Sequence, residues 1–130
     1  MMLIEVPDLT GKECGDIAVT AAEGGINYWA RIPNYDPRRW HTEDWLDTLD
    51  VGDSFVFYLI TLENPIGPGR QNSTITPKVI RRGIELALQG GKIRRDLEDQ
   101  MRDVEERAAM DADAADCVIQ LGVFGEVVFG

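Results

Sequence analysis

The alternation of apolar and polar residues predicts two β-strands in the first half of the chain. Residues 26–32 (INYWARI) place every second side chain on one face, and Pro33 ends the run. Residues 54–62 (SFVFYLITL) are β-branched and aromatic almost throughout, with too little alternation for an exposed sheet face. We therefore predict that residues 54–62 form a central strand and that residues 26–32 lie beside it.

A helical period dominates the second half of the chain, most clearly after Thr76. Thr76 and Pro77 are a favourable cap and first helical residue. Apolar residues then recur every three or four positions and form one face of a helix. Gly90 and Gly91 end the pattern, so we predict a helix from Pro77 to the residues just before them.

Two further helices are predicted towards the end of the chain. Ile93, Leu97, Met101 and Val104 are spaced by four, four and three positions, and the remaining residues from Arg94 to Arg107 are densely charged. Residues 114–124 are apolar on several sides and follow the candidate N-caps Asp111 and Asp113. A helix of that composition is either central in the fold or packed against another subunit.

The residues before the first strand are predicted as a loop over residues 8–15 and a short helix over residues 16–23. Two adjacent glycines, Gly24 and Gly25, follow. Glycine accepts positive φ values and lets another group approach the main chain closely. We therefore expect Gly24 to end the short helix.

The order of these elements predicts an α+β fold, in which a small antiparallel or mixed sheet packs against three C-terminal helices and the short helix of residues 16–23. The 130 residues are enough to bury a core and have the length of one domain, so residues 1–130 are assigned to a single domain. Apolar residues make up 44% of the chain, too many for a disordered tail.

The charge of the chain restricts its partners. With 13 basic and 23 acidic residues the net charge is −10, which repels phosphate backbones and anionic membrane surfaces, so we expect neither direct nucleic-acid binding nor membrane binding. Residues 1–5 lack the features of a signal peptide, and no apolar run is long enough to cross a bilayer. A cytoplasmic location is expected.

The cysteines and the single histidine do not form a recognisable metal or cofactor site. Cys14 and Cys117 are far apart, have no CxxC spacing and are expected to be free, mostly buried thiols. A metal site made of these two and His41 would need a fourth ligand and has no known spacing. No metal and no cofactor are therefore predicted.

A candidate ligand-binding corner lies at residues 23–29 (EGGINYW). In the functional interpretation, aromatic side chains stack on a flat ring while an amide, a carboxylate and the glycine N–H groups supply directional hydrogen bonds. The structural interpretation is a helix end, a tight turn and a buried aromatic strand, with either Tyr28 or Trp29 in the core. The residues assigned to the ligand are Glu23, Gly24, Gly25, Asn27, Tyr28, Trp29 and the nearby Trp40.

A candidate anion site lies in the basic segment of residues 70–95, which holds seven basic residues and the single acid Glu85. Residues 64–73 are rich in proline and glycine, so we predict irregular structure ending just before a helix N-terminus, where backbone N–H groups favour anions. Alternatively, the basic residues form a solvated, ion-paired surface, or meet an acidic surface of an identical subunit in a homo-oligomer. The assigned residues are Arg70, Gln71, Asn72, Ser73, Arg81 and Arg82.

Residues 23–29 and the ending of residues 116–130 (DCVIQLGVFGEVVFG) resemble segments of small uncharacterised proteins encoded by tailed bacteriophages and prophages, especially of actinobacterial hosts. The resemblance spans most of the chain. It implies a setting, the cytoplasm of an infected bacterium, and an accessory role in counter-defence. It implies no catalytic residues.

The leading functional hypothesis is a non-enzymatic phage accessory protein that binds and sequesters a small anionic, nucleotide-derived ligand. The alternative is an acidic protein that inhibits a host DNA- or RNA-binding protein by presenting carboxylates in place of phosphates. Catalysis is the third hypothesis, less favoured because no acid–base pair, activated nucleophile or thiol motif is present. The carboxylates assigned to the alternative are Asp96, Glu98, Asp99, Asp103, Glu105, Glu106, Asp111, Asp113 and Asp116.

Overall fold

The computed structural model describes residues 9–31, 57–61 and 72–129 of the chain. The described elements are a helix, a π-helical turn, three strands and then four helices. The predicted α+β class, a small antiparallel sheet followed by C-terminal helices, is confirmed. The bounds are α1 Gly11–Thr20, the π-turn Ala21–Gly25, β1 Ala30–Arg31, β2 Phe57–Thr61, β3 Asn72–Ile75, α2 Pro77–Leu88, α3 Arg95–Asp99, α4 Val104–Ala108 and α5 Ala112–Phe124.

The sheet has β2 at its centre, with β1 and β3 on either side and both pairings antiparallel. Ala30 of β1 is opposite Thr61, and Leu59 of β2 is opposite Ser73 of β3. The predicted central position of the 54–62 strand is therefore confirmed for the part that is described. Strand β3 was not predicted, because its polar residues were assigned to the irregular stretch of residues 64–73.

Strand β1 is shorter than the pattern of residues 26–32 predicts. The N–H groups of Trp29 and Ala30 both donate to the carbonyl oxygen of Ile26, at 3.0 and 2.9 Å. These bonds hold residues 26–29 in a turn, so the described strand begins only at Ala30. The alternation of the sequence in this segment therefore reflects a turn next to a strand.

Helix α1 begins earlier than predicted, and the predicted loop over residues 8–15 is wrong for its second half. Thr10 Oγ1 accepts a hydrogen bond from the Glu13 N–H at 3.1 Å, and Glu13 Oε2 accepts one from the Thr10 N–H at 3.2 Å. This capping box satisfies two backbone donors at the start of the helix. The helix then buries Cys14, Ile17 and Ala18 against the core.

The prediction that Gly24 ends the first helix is wrong, and neither Gly24 nor Gly25 has a positive φ angle. The chain continues instead into the π-turn, in which the Ile26 N–H donates to the Ala21 carbonyl oxygen at 3.0 Å, five residues back. The predicted close approach is present at Gly25, where a Cβ would lie 2.7 Å from the carbonyl oxygen of Ala112. The approaching group is the first turn of α5.

Helices α2 and α5 pack backbone to backbone at two glycines. A Cβ on Gly83 of α2 would clash with the carbonyl oxygen of Val118, and a Cβ on Gly122 of α5 would clash with that of Val79. Strand β3, helix α1 and the π-turn pack against these two helices. The large side chains that are fully buried are Ile26, Leu59, Ile75, Ile80, Ile84, Met101, Val118, Ile119, Gln120 and Leu121.

The helix predicted over residues 93–107 is divided into α3 and α4. Asp103 caps α4, with its Oδ1 accepting from the Glu106 N–H at 2.9 Å, so the chain leaves the helical path before this residue. Leu97 and Met101 are buried as their spacing predicts, whereas Val104 is 46% exposed. None of the helices in the described ranges has the length and apolar character that a bilayer crossing demands.

A buried ion pair connects α4 to the start of α1. Arg107 has a fully buried side chain, and its Nε donates to Glu13 Oε1 at 3.1 Å. Its Nη2 donates to Glu13 Oε2 at 3.4 Å and its Nη1 to the Met101 carbonyl oxygen at 3.3 Å. Glu13 therefore caps α1 and neutralises Arg107 at the same time.

Candidate functional site

A groove of about 410 Å³ lies between α2 and α5. The backbones of the two helices are in close contact at Gly83 and Gly122. The longer side chains of α2 extend beyond this contact and form the walls of the groove. We call it the cationic groove. Its lining residues are Lys78, Val79, Arg81, Arg82, Glu85 and Gly122.

The positive charge of the groove follows from the periodicity of α2. Ile80, Gly83 and Ile84 face the core, so the basic residues between them face outwards. Lys78 and Arg82 are exposed, and no carboxylate of the described residues forms a salt bridge with either of them. Two cations are therefore available to an anion in the groove.

Trp29 is 2% exposed and lies in an aromatic cluster. Its ring stacks on that of Phe129, with centroids 5.0 Å apart and planes at 9°, and meets Phe124 at 5.7 Å and 55°. Phe129 therefore covers a face of the Trp29 indole. The ligand hypothesis had predicted that a flat ring of the ligand stacks on this side chain. A ligand can stack on that face only if Phe129 moves away.

The indole N–H of Trp29 is also used inside the fold, by the carboxylate of Asp116. Trp29 Nε1 donates to Asp116 Oδ1 at 2.7 Å, and the Tyr28 hydroxyl donates to Oδ2 at 2.6 Å. Gln120 Nε2 donates to Oδ1 at 3.0 Å. Asp116 is 7% exposed and forms no salt bridge with any described residue, so three neutral donors stabilise its negative charge.

Tyr28 has an exposed ring and an inward-facing hydroxyl. The residue is 56% exposed, while its oxygen lies against Asp116. Desolvation of the hydroxyl, followed by its hydrogen bond to Asp116 and the negative charge there, raises the pKa of Tyr28 well above its ordinary value. Tyr28 therefore remains protonated at neutral pH and acts as a donor.

The Gln120 carboxamide holds the segment that follows α5. The N–H groups of Val128 and Phe129 both donate to Gln120 Oε1 at 2.8 Å. Gln120 Nε2 donates to the Phe129 carbonyl oxygen at 3.0 Å. These bonds fix the position of Phe129, which in turn covers Trp29.

The other residues of the predicted corner are divided between surface and interior. Glu23 and Asn27 are exposed, and Asn27 Nδ2 donates to the Glu23 carbonyl oxygen at 3.4 Å. Gly24 is exposed, with a virtual Cβ 3.5 Å from that of Ala112, and Gly25 is buried against α5. The prediction that either Tyr28 or Trp29 belongs to the core is confirmed for Trp29.

The predicted anion loop is only partly described. Asn72 and Ser73 lie in β3, opposite Ile60 and Leu59, so their backbones belong to the sheet. Arg81 and Arg82 line the cationic groove. The positions of Trp40, Arg70 and Gln71 lie outside the described residues.

The aromatic cluster and the cationic groove lie on opposite faces of α5. Asp116 and Gln120 face Tyr28 and Trp29, whereas Val118 and Gly122 face α2. The structure therefore does not bring Trp29 together with the arginines of α2. The two groups are separate candidate sites.

Sequence reasoning did not identify Asp116 and Gln120 as partners of the aromatic residues. The available signal was a carboxylate and an amide four positions apart in a helix that is otherwise apolar, since such a pair shares one helical face and needs buried partners.

The described residues offer no alternative metal or thiol chemistry. No group of three or more histidine, cysteine, aspartate or glutamate residues within them is arranged to hold a metal ion. Cys14 and Cys117 are both buried and are not joined in a disulfide. Burial, then the negative charges of Asp116 and Asp113, raise the pKa of Cys117 from 9.0 to about 11, so this thiol is a poor nucleophile at neutral pH.

No protein-family model, no curated protein and no solved structure matches this chain.

Proposed function

We propose that the protein is a binding protein for a small anionic ligand, held in the cationic groove between α2 and α5. The observation that supports this most directly is the convergence of three basic side chains on one concave surface of a chain whose net charge is −10. Most of the surface field repels anions. A local reversal of that field beside a cavity is the arrangement that an anion site requires.

The size and chemistry of the groove suit a ligand of nucleotide size. Small-molecule sites have volumes of about 300–1,000 Å³, and this groove has about 410 Å³. Arginine can donate two parallel hydrogen bonds to a phosphate or carboxylate group, and lysine adds a point charge. Gly122 lies at the floor of the groove, where the backbones of α2 and α5 are in close contact, and Val79 provides an apolar surface for the uncharged part of the ligand.

The proposed biological role is sequestration of that ligand by a phage accessory protein in the cytoplasm of an infected bacterium. The support for this setting is the resemblance of residues 23–29 and 116–130 to small phage-encoded proteins. The support for binding without turnover is that the lining residues within the described part of the chain include no serine, threonine or cysteine and a single carboxylate, Glu85.

The test is isothermal titration calorimetry of the protein with inorganic pyrophosphate and with adenosine monophosphate. We expect saturable binding of at least one probe, weakened about ten-fold or more in Arg82→Ala, because the variant loses a charged contact. The matched control is Arg95→Ala, which removes an exposed arginine of α3 outside the groove.

The control variant should bind each probe within about two-fold of the unmodified chain, since Arg95 is exposed and is not one of the residues that line the groove. Equal weakening in both variants would show that the probes respond to overall charge. That result, or a lack of saturable binding with both probes, would contradict the proposal.

A second candidate function is the inhibition of a host nucleic-acid-binding protein by the acidic surface. Seven of the nine carboxylates assigned to it are exposed, whereas Glu98 and Asp116 are buried. Two of the exposed ones, Asp103 and Asp111, also cap helices. The exposed residues are Asp96, Asp99, Asp103, Glu105, Glu106, Asp111 and Asp113.

This second candidate is tested by charge removal on α4. The double variant Glu105→Gln and Glu106→Gln should release a basic host partner and reduce the salt dependence of its capture, while leaving pyrophosphate binding unchanged. Capture that is independent of both the variant and the salt concentration would exclude the acidic surface as the binding surface.

A further inference from the structure

The carboxamide of Gln120 forms hydrogen bonds with the backbone of Val128 and Phe129, as the peptide groups of an adjacent β-strand would. Its Oε1 accepts from the N–H groups of Val128 and Phe129 at 2.8 Å each, and its Nε2 donates to the Phe129 carbonyl oxygen at 3.0 Å. Gln120 itself is fully buried. A buried carboxamide whose two ends are both satisfied by one short peptide segment is oriented for peptide recognition.

The same segment packs an aromatic ring against two others. Phe129 stacks on Trp29 at 5.0 Å and contacts Phe124 edge-on at 6.0 Å. The Tyr28 hydroxyl lies 3.2 Å from the Phe129 carbonyl oxygen and can donate to it. Backbone polar groups and one aromatic side chain are thus recognised together, the combination by which extended peptides are bound.

Residues 126–129 belong to no helix or strand. Their arrangement is therefore set by their contacts with Gln120 and with the aromatic rings. We call these residues the 126–129 segment. It leaves α5 at Gly125, which ends the helix in the left-handed conformation with φ of +81°. In the hydrogen bonds given above, its backbone is held only by the side chains of Gln120 and Tyr28.

We propose that the side chains around Gln120, which we call the Gln120 site, recognise an extended peptide with an aromatic side chain. The partner is the 126–129 segment of a second copy of the chain. In the single chain the site is filled by the chain's own segment. If the chain turns away at Gly125, the segment of one copy can present the same backbone groups and the same ring to the Gln120 site of another copy, so exchange needs no new complementarity. The site is formed by Tyr28, Trp29, Asp116, Gln120 and Phe124.

The first test is peptide binding by the full-length Phe129→Ala chain, whose own segment lacks the ring. The probe is a fluorescent, terminally blocked peptide of the sequence GEVVFG, which corresponds to residues 125–130. We expect saturable binding in an anisotropy titration, at least about ten-fold weaker for the control peptide GEVVAG. Equal binding of the two peptides, or none, would overturn the proposal.

The second test uses unmodified chains and does not depend on the folding of a variant. Isotopically labelled and unlabelled copies are mixed, and mixed dimers are counted by native mass spectrometry. We expect mixed dimers with the unmodified chain and with the control Glu126→Gln, a change at an exposed residue that takes part in none of the hydrogen bonds given above, and their loss with Phe129→Ala. Peptide binding without mixed dimers would exclude a second copy as the partner.

Hydrogen exchange locates the contact. The amides of Val128 and Phe129 are bonded to Gln120 and should be protected in the unmodified chain. Excess GEVVFG peptide should accelerate their exchange, because it displaces the chain's own segment. Unchanged protection at a saturating peptide concentration would place the peptide elsewhere and overturn the assignment of the site.

Discussion

Trp29 and Asp116 are joined by a buried hydrogen bond of 2.7 Å from the indole Nε1 to the carboxylate Oδ1, across 87 positions of sequence. The bond connects the turn before β1 to the face of α5. It also satisfies two groups that would be costly to bury alone, a carboxylate and an indole N–H. Much of the packing around the aromatic cluster depends on this pair.

We predict that Asp116→Ala lowers the free energy of unfolding by about 3 kcal/mol and Trp29→Phe by about 2 kcal/mol, because hydrogen bonds to charged groups contribute about 1.5–3 kcal/mol each. Urea unfolding of both variants and of the double variant gives a coupling energy, which should exceed about 1 kcal/mol. Asp113→Ala is the control, since this carboxylate is exposed on the same helix. Additive effects of the two changes would contradict the importance of the bond.

The glycines between α2 and α5 predict a second set of stability changes. Gly122→Ala should lose about 1–3 kcal/mol of unfolding free energy, because its Cβ would meet the Val79 carbonyl oxygen, even though alanine favours helix formation. Gly24→Ala is the control, since its Cβ would make an ordinary contact at 3.5 Å. Thermal unfolding by circular dichroism separates the two. Equal melting temperatures would show that the helices can move apart freely.

The ion pair between Glu13 and Arg107 predicts a large difference between buried and exposed arginines. Arg107→Met should destabilise the fold by about 3 kcal/mol, because it leaves the Glu13 carboxylate without its cation. Arg94→Met should change stability by less than about 1 kcal/mol, since its pair with Asp96 is exposed. Urea unfolding at low and high salt measures both, and a similar small effect for both arginines would contradict the buried pair.

The thiol of Cys117 predicts a loss of stability in alkaline solution. Its pKa rises from 9.0 to about 11 in the fold, so between these values the unfolded chain releases a proton that the folded chain keeps. The free energy of unfolding should therefore fall with rising pH over this window, by up to about 1.4 kcal/mol per pH unit from this group.

The comparison that isolates the thiol is Cys117→Ala, followed in reducing buffer from neutral pH to about pH 11. Tyr28 adds an effect of the same sign above its ordinary pKa, because its pKa is also raised in the fold. The variant should keep the contribution of Tyr28 and lose that of the thiol. Identical pH profiles for the two chains would mean that the thiol titrates normally.

The elements that the sequence predicts well are those whose signals are local. Helix α2 has its cap at Thr76, its first residue at Pro77 and its end just before Gly90 and Gly91, all as expected. Of the two candidate N-caps predicted for α5, Asp111 is the cap: its Oδ1 accepts from the Ala114 N–H at 2.8 Å, and the helix begins at Ala112, two residues before the predicted Ala114. The capping box of α1 was equally local and was overlooked.

The candidate sites depend on contacts that no local pattern specifies. The spacing of Asp116 and Gln120 indicates one helical face, but not that Tyr28 and Trp29 occupy it. The hypothesis of a ligand stacked on Trp29 assumed that the indole ring has a face open to a ligand. The protein's own Phe129 lies against it, and a stacking of two rings so distant in sequence is decided only by the tertiary fold.

The π-turn of residues 21–25 determines which aromatic side chain enters the interior. A π-helical turn carries one residue more than an α-helical turn, and each residue of an α-helix rotates the chain by about 100°. Deletion of Ala22 would let the first helix continue regularly and turn the following residues by that angle. Tyr28 and Trp29 would then no longer reach the two oxygens of the Asp116 carboxylate. The length of this short turn therefore sets which way the two aromatic side chains point.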